Sequence, residues 1–344
     1  MKCSLCNTAE ADKSNTHYLT DAIIRTCLNI DGINKREQGY YFGFSNSDPF
    51  VEFNFQRDTP VSKIEEELGR AITDEEIEKA LGREFAVDNI FCSKCEDLFG
   101  EIENPFIKDI LPLFRQSDLA GTKKMSFVNK PIVRLFFLLQ VWRTAVCDPA
   151  FKISPDSHEK LRTLLLNHKK DDVVAVTSFP LVVTYLETRG AEKEYTSNFV
   201  GLATSKNYNI ILMNDFIIQF FDNRNAIKFY SYYQLNAKSD FSQFVNVNET
   251  EFNLKVFKDE KRKRFLATIV FNIKVKPALK FYAGLFYELW FKCFHFPTSV
   301  FIQQEFMDKL LGGDTLNILQ YSQAYVLNFI RNFVLHKIRT RNIF

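Results

Sequence analysis

Cys3-Ser4-Leu5-Cys6 and Cys92-Ser93-Lys94-Cys95 are two Cys-x-x-Cys pairs. Two intervening residues let both sulfurs of a pair reach one ion from a single tight turn. Two pairs supply four thiolates, the ligand set of a tetrahedral zinc site with Zn–S distances of about 2.3 Å. Four sulfurs close the coordination shell and leave no position for water, so the chemistry they imply is structural rather than catalytic. Residues 7–91 separate the pairs. The ion therefore ties together distant segments as a disulfide would, in a form that survives a reducing compartment.

The remaining cysteines, Cys27, Cys147 and Cys293, bring the total to seven and sit among apolar residues, where a thiol serves as a small buried hydrophobe. A length of 344 residues argues for two or three domains. Such a chain buries a large core without help from a metal, so the zinc would hold one local module. Thirty-six Phe against twelve Gly describe an aromatic interior with few sharp backbone excursions. Neither a Walker A loop nor a dinucleotide fingerprint is present. There is no Gly-x-Ser-x-Gly elbow, and no cysteine outside the pairs has a partner for nucleophilic catalysis. Net charge is +2, so any case for nucleic acid rests on local patches. Lys2, Cys3 and a polar run stand where a signal peptide would be apolar. The most apolar stretch, 281–296, is too short and too charged to span a bilayer. The expectation is a cytoplasmic protein with no membrane association.

The elements follow from periodicity. Residues 17–29 read as a helix with Leu19, Ile23, Ile24 and Cys27 on one face. Residues 39–45 and 50–56 alternate aromatic and polar residues across Asn46-Ser47-Asp48-Pro49, a β-hairpin. A helix starts at Thr59-Pro60 and ends at Gly69, and a second is capped by Thr73 and stops at Gly82. Residues 106–170 are helical, with 132–146 a core helix and 157–168 a second one. Short β-rich runs occupy 173–176, 181–186, 199–204, 210–213 and 216–221, and 265–275 reads as another strand. Residues 278–294, 302–311 and 315–339 are helical again.

The order Cys-x-x-Cys, Thr16-His17-Tyr18-Leu19-Thr20, then Cys92-Ser93-Lys94-Cys95-Glu96-Asp97-Leu98-Phe99-Gly100 resembles the HNH-like treble-clef zinc proteins of bacteria. The continuation is similar too: residues 134–145 with Trp142-Arg143, then Phe151-Lys152-Ile153, then 158–165 with Arg162. The match covers about residues 1–168. The chain departs from the family pattern at Thr16, which is often acidic, at Tyr18-Leu19-Thr20 in place of Ile-Ile-Pro, and at Glu96 in place of asparagine.

The resemblance, joined to the element pattern of the rest of the chain, implies an α+β chain. An N-terminal treble-clef, ββα-metal-like zinc module (1–105) precedes a helical region (106–190) and an aromatic-rich α+β C-terminal domain (191–344). It also implies roles. His17 would be the general base of a metal-dependent endonuclease that hydrolyses phosphodiesters. Glu96, Glu103 and Asn104 would bind a separate Mg²⁺ or Mn²⁺ or orient the histidine. The alternative is a non-catalytic nucleic-acid-binding, sensing or assembly protein in which His17 orders the start of its helix. Relatives of this kind often serve host defence or mobile elements. Lys261-Arg262-Lys263-Arg264 is a basic run that can hold phosphates of DNA or RNA, or form a charged tip between two strands. The Phe-rich C-terminal half suits a protein partner or a second copy of the chain.

Overall fold

Two apolar periods recur along the chain, of about two and about 3.6 residues, and they decide which segments become strands and which become helices. The computed structural model describes residues 1–28, 40–43, 53–55, 60–68, 70–75, 77, 85–168, 179–187, 199–205, 208–248 and 250–340. Its elements in chain order are β1 (Thr16–His17), α1 (Asp21–Leu28), β2 (Tyr40–Gly43), β3 (Phe53–Phe55), α2 (Val61–Leu68), β4 (Ala86–Val87) and α3 (Ser93–Pro105). A π-helical turn (Phe106–Ile110) leads into α4 (Leu111–Arg115), followed by β5 (Lys124–Val128), α5 (Pro131–Cys147) and α6 (Pro155–Leu166). Then come β6 (Leu181–Leu186), β7 (Phe199–Ser205), β8 (Tyr208–Met213), β9 (Phe216–Phe220), α7 (Phe241–Phe244) and β10 (Glu251–Phe257). The chain ends with α8 (Asp259–Val270), a second π-helical turn (Phe271–Val275), α9 (Lys276–Phe294), α10 (Val300–Leu311) and α11 (Gln323–Thr340).

The protein is mixed α+β. Its described residues form an eight-stranded sheet in the order β3-β2-β7-β8-β9-β6-β10-β5. β6 joins β10 and β2 joins β7 in parallel, and the other neighbours are antiparallel. β6 and β9 are buried along their whole length and apolar except for Thr184 and Gln219, as suits central strands covered on both faces. α5 is buried from Val133 to Thr144, which explains why its sequence shows no polar stripe. The Phe106 and Phe136 rings stack at 3.7 Å, and Phe137 and Phe114 meet Phe216 of the sheet at 5.5 and 5.3 Å. Those rings are where the thirty-six phenylalanines become a core.

Both π-helical turns precede a proline, Pro112 and Pro277. A proline ring collides with the carbonyl four residues earlier. That carbonyl is Lys108 in one case and Ile273 in the other, each inside the widened turn, which makes room for the ring.

The contacts divide the chain into two compact units. The first runs through Phe265, and the second comprises 266–340 with α2 and the residues after it to Thr73. The boundaries expected at 105 and 190 both fall inside the first unit. The second unit has its own apolar cluster, including Phe286, Trp290, Phe306, Ile330 and Phe333.

The expected hairpin is present as the antiparallel β2–β3 pair, with Tyr40 opposite Phe55. Its turn lies outside the described residues. So do the strand expected at 173–176 and most of the helix expected after Thr73. Three expectations change. Within the stretch 106–170 read as helical, Lys124–Val128 is strand β5, paired antiparallel with β10. The helix read from His17 starts at Asp21, because β1 pairs with β4 and Tyr18 N–H donates to Phe85 O. The first helical bonds then go to Thr20 O, from the amides of Ile23 and Ile24. The strand read at 265–275 is helix. Thr268, Ile269 and Val270 suggested a strand, but Arg262, Phe265, Leu266 and Ile269 are buried while Lys261, Lys263, Arg264 and Ala267 are exposed. That spacing is the 3.6-residue period, and it outweighs β-propensity.

Candidate metal centre and the polar cluster behind it

Cys3 and Cys6 sit on a turn closed by Asn7 N–H donating to Cys3 O and Cys3 N–H donating to Ala9 O, both at 2.9 Å. Asn7 takes φ of 58°, a left-handed value that asparagine tolerates. Cys92 is the N-cap of α3, and Cys95 lies in its first turn with its amide on Cys92 O. The two segments are stitched by Ser4 N–H to Ile90 O and Lys13 N–H to Phe91 O. Ser93 N–H donates to Asp12 Oδ1 at 2.9 Å. The second pair therefore starts a helix and the first rides a turn beside it.

The four Sγ atoms lie within 4.8 Å of one another. A tetrahedron with metal–sulfur bonds of about 2.3 Å needs sulfurs about 3.8 Å apart, so the cluster can hold one ion after a small contraction. The donor set is all sulfur, which suits a soft or borderline cation. Burial pushes the Cys92 and Cys95 thiols up, and the Cys3 sulfur beside them adds to the effect. Burial also opposes ionisation of Cys6, but bonds from Thr8 and the Ala9 and Thr8 amides outweigh it and bring that thiol down to about 6. A divalent cation among the sulfurs offsets the charge that disfavours multiple thiolates. Cys3, Cys6, Cys92 and Cys95 are free thiols, as are Cys147 and Cys293, so no disulfide competes for these sulfurs.

Behind the cysteines lies a polar cluster built on α3 and α5. Arg143, 3% exposed, pairs through Nη1 with Glu103 Oε1 at 2.8 Å. Its Nη2 donates to the carbonyl of His17, and its guanidinium lies 5.2 Å from the Phe99 ring centre. Thr20 Oγ1 donates to the same Glu103 oxygen at 2.6 Å, and Thr20 N–H donates to Gln140 Oε1 at 3.0 Å. Glu96 shares the inner face of α3 with Glu103. Burial raises its carboxyl pKa, Arg143 opposes that, and Glu103 adds to it; Thr16 supplies a hydrogen bond. Glu96 Oε1 is buried without a hydrogen-bond partner. On α6, Arg162 donates to Leu5 O at 2.6 Å and so holds the first knuckle.

The residues expected to act together are placed as follows. The four cysteines converge. His17 is in β1 opposite Ala86, its side chain 19% exposed, with Nε2 3.9 Å from Asp21 Oδ1. Glu103 reaches His17 through Arg143, at the backbone rather than the ring. Asn104 is exposed, one position round the helix from Glu103. Of the basic run, Arg262 is buried and paired with Asp259 at 3.0 Å, and Lys263 reaches the same carboxylate at 2.8 Å. Lys261 lies 4.1 Å over the Phe257 ring. Only Lys261, Lys263 and Arg264 of that run are exposed, and they share a face of α8.

Sequence reasoning gave no role to Arg143, Thr20, Arg115 and Asp215. Arg115 and Asp215 form a 2.7 Å pair in which the aspartate is fully buried, and Arg115 also donates to the Ala22 and Ile23 carbonyls. The available signal was an arginine inside an otherwise apolar helix, which must be paid for by a partner.

No protein-family model, no curated protein and no solved structure matches this chain. Among the described residues, no helix is long and apolar enough to cross a membrane.

Proposed function

We propose that the chain is a zinc-stabilised nucleic-acid-binding protein built on an HNH-like treble-clef module whose histidine strand is structural. One observation carries this reading: Glu103, the carboxylate that would serve a catalytic ion, is bonded to Arg143 and Thr20. A metal-binding carboxylate needs its lone pairs directed at the ion. Here Oε1 accepts from both Arg143 and Thr20, the groups that lock β1 and the start of α1 onto α5. Cys3, Cys6, Cys92 and Cys95 would hold zinc, and the bound ion would supply a cross-link rather than a Lewis acid. Lys261, Lys263 and Arg264 give an exposed cationic face for phosphates.

A second reading, a Mg²⁺- or Mn²⁺-dependent endonuclease with His17 as base, is favoured by the partial exposure of the imidazole and the Asp21 carboxylate near it. The two part on one experiment. Purified protein is incubated with plasmid, single-stranded DNA and RNA in Mg²⁺ or Mn²⁺, and binding is followed in parallel by gel shift over a range of salt. The binding reading expects no cleavage and an affinity that falls with log salt, less steeply in a Lys261→Ala/Lys263→Ala/Arg264→Ala variant. Cleavage lost by about 10²–10⁴-fold in His17→Ala, with zinc content retained, would replace it with the nuclease reading.

A further inference from the structure

α5 has a second polar end. Arg143 closes the metal module near its C-terminus, and Arg134 lies one turn inside its N-terminus, in the wall of a pocket of about 400 Å³. That volume is in the range of small-molecule sites. The pocket forms where β5 ends, α5 begins and β10 starts. Phe127 and Phe252 are cross-strand partners in the β5–β10 ladder and form its apolar wall. Asn129, Lys130 and Arg134 supply the polar wall.

Arg134 is 3% exposed. Its Nη1 donates to Asn246 O at 3.1 Å and its Nη2 to Asn248 O at 2.6 Å, and its guanidinium lies 5.3 Å from the Phe252 ring centre. Every one of these contacts is neutral. Among the described residues no carboxylate pairs with it, whereas Arg115, Arg143 and Arg262 each have one. Glu251, the acidic residue of the lining, lies 3.7 Å from Lys124. Burial brings Arg134 down to about 10, and the nearby Arg224 pushes the same way. A buried cation beside a second cation, with no counter-charge, is costly to keep in an empty site. α5 adds to the positive potential, since its N-cap residue, Lys130, makes no side-chain cap.

We infer that this pocket binds a ring-bearing phosphate ester of mononucleotide size, with its phosphate between Arg134, Lys130 and the first turn of α5 and its ring against Phe127 and Phe252. A phosphate supplies the missing negative charge, accepts hydrogen bonds from a guanidinium and an ammonium together, and suits a helix N-terminus. The two phenylalanines give the ring an apolar seat that inorganic phosphate cannot use. The site does not depend on the metal-module reading.

The test uses the full chain with AMP, GMP, CMP and UMP, with inorganic phosphate, and with a single-stranded 20-mer, each followed by calorimetric titration and thermal melting. At least one mononucleotide is expected to raise the melting temperature by about 2 °C or more at saturation and to bind at least about tenfold tighter than inorganic phosphate. Lys130 and Arg224 are exposed, so a Lys130→Glu/Arg224→Glu variant is expected to fold, to melt no lower than the parent without ligand, and to lose about tenfold or more in affinity. Equal binding by that variant, or no mononucleotide binding at millimolar concentration, overturns the proposal. Phosphate binding as tightly as the mononucleotides removes the ring from it. Binding of the 20-mer alone transfers the patch to nucleic acid and overturns the small-ligand assignment.

Discussion

Arg143 shows how one side chain can settle the character of a site. It is 3% exposed, sits on a helix with no other described ion pair, and spends its charge on Glu103 and its second nitrogen on the His17 carbonyl. Breaking a buried pair from one side leaves the other charge stranded, at a cost of about 3–5 kcal/mol. Arg143→Met is expected to lose stability on that order in chemical denaturation, and Arg143→Met/Glu103→Gln to regain part of it, because the stranded carboxylate is gone. A double variant no more stable than the single one would show that Arg143 acts by packing alone. A second residue-scale outcome concerns thiols. Burial pushes Cys147 up to about 12, with Arg143 opposing and Glu96 and Asp148 adding. The thiolate is the reactive form, so at pH 8 native protein treated with iodoacetamide should carry label at the exposed Cys293 long before Cys147. Mass spectrometry of tryptic peptides reads this directly, and early label at Cys147 would contradict the described burial.

At the scale of elements, the second unit offers a pH-dependent joint. Lys337 on α11, 2% exposed, reaches Glu305 on α10 at 2.6 Å, and Lys309 holds the other oxygen of the same carboxylate at 2.9 Å. The bonds from Lys337 and Lys309 hold the Glu305 carboxyl below its usual range, against a smaller effect of burial. A depressed carboxylate stabilises the fold above its unfolded pKa, and that contribution is lost as pH falls through the folded value. The α10–α11 joint should therefore weaken on acidification below the ordinary carboxylate range. Glu305 is a third exposed, so solvent screening limits the effect. Glu305→Gln is expected to cost about 1–2 kcal/mol at neutral pH, and the difference from the parent should vanish in acid. A difference that persists unchanged at low pH would exclude the ion pair as its source.

The elements also show what a sequence can and cannot tell. Strong periods were legible: α5 as a core helix, β6 and β9 as buried strands, the β2–β3 pair. The two cysteine pairs were legible as one sulfur cluster because chelate spacing is a local property, and the cluster then needs only that two distant turns meet. Helix α8 was misread because β-branched residues at 268–270 drew attention from the spacing of Arg262, Phe265, Leu266 and Ile269. β5 was missed because its alternation, Met125 and Phe127 inward against Lys124, Ser126 and Val128 outward, lasts only five residues and lies within a longer stretch read as helical. The placement of β2 beside β7, more than 150 residues on, follows from tertiary packing that no local window contains. The use of Glu103 and Arg134 could not be read either, since each depends on what lies across a helix interface or a sheet.

For the whole molecule, the decisive feature is that two apolar clusters, one in each unit, each contain a single tryptophan. Trp142 packs on Phe91 and Phe99 next to the cysteines, at 5.9 and 6.3 Å, and Trp290 lies 5.9 Å from Phe286 in the second unit. The chain has no other tryptophan. A Trp290→Phe variant therefore reports on the first unit by fluorescence, and a Trp142→Phe variant on the second. A metal bound only by the folded module stabilises that module by mass action, and its removal withdraws the stabilisation. Chelation is expected to lower the melting temperature seen through Trp142 by several degrees, as does Cys92→Ser, and to leave the transition seen through Trp290 where it was. Elemental analysis before chelation should give about one zinc per chain, the stoichiometry of a four-sulfur site. Two reporters that shift together would mean that the units unfold as one body. A Trp142 transition indifferent to chelator would mean that Cys3, Cys6, Cys92 and Cys95 hold their fold without an ion, and the metal would then have no place in the account of this protein.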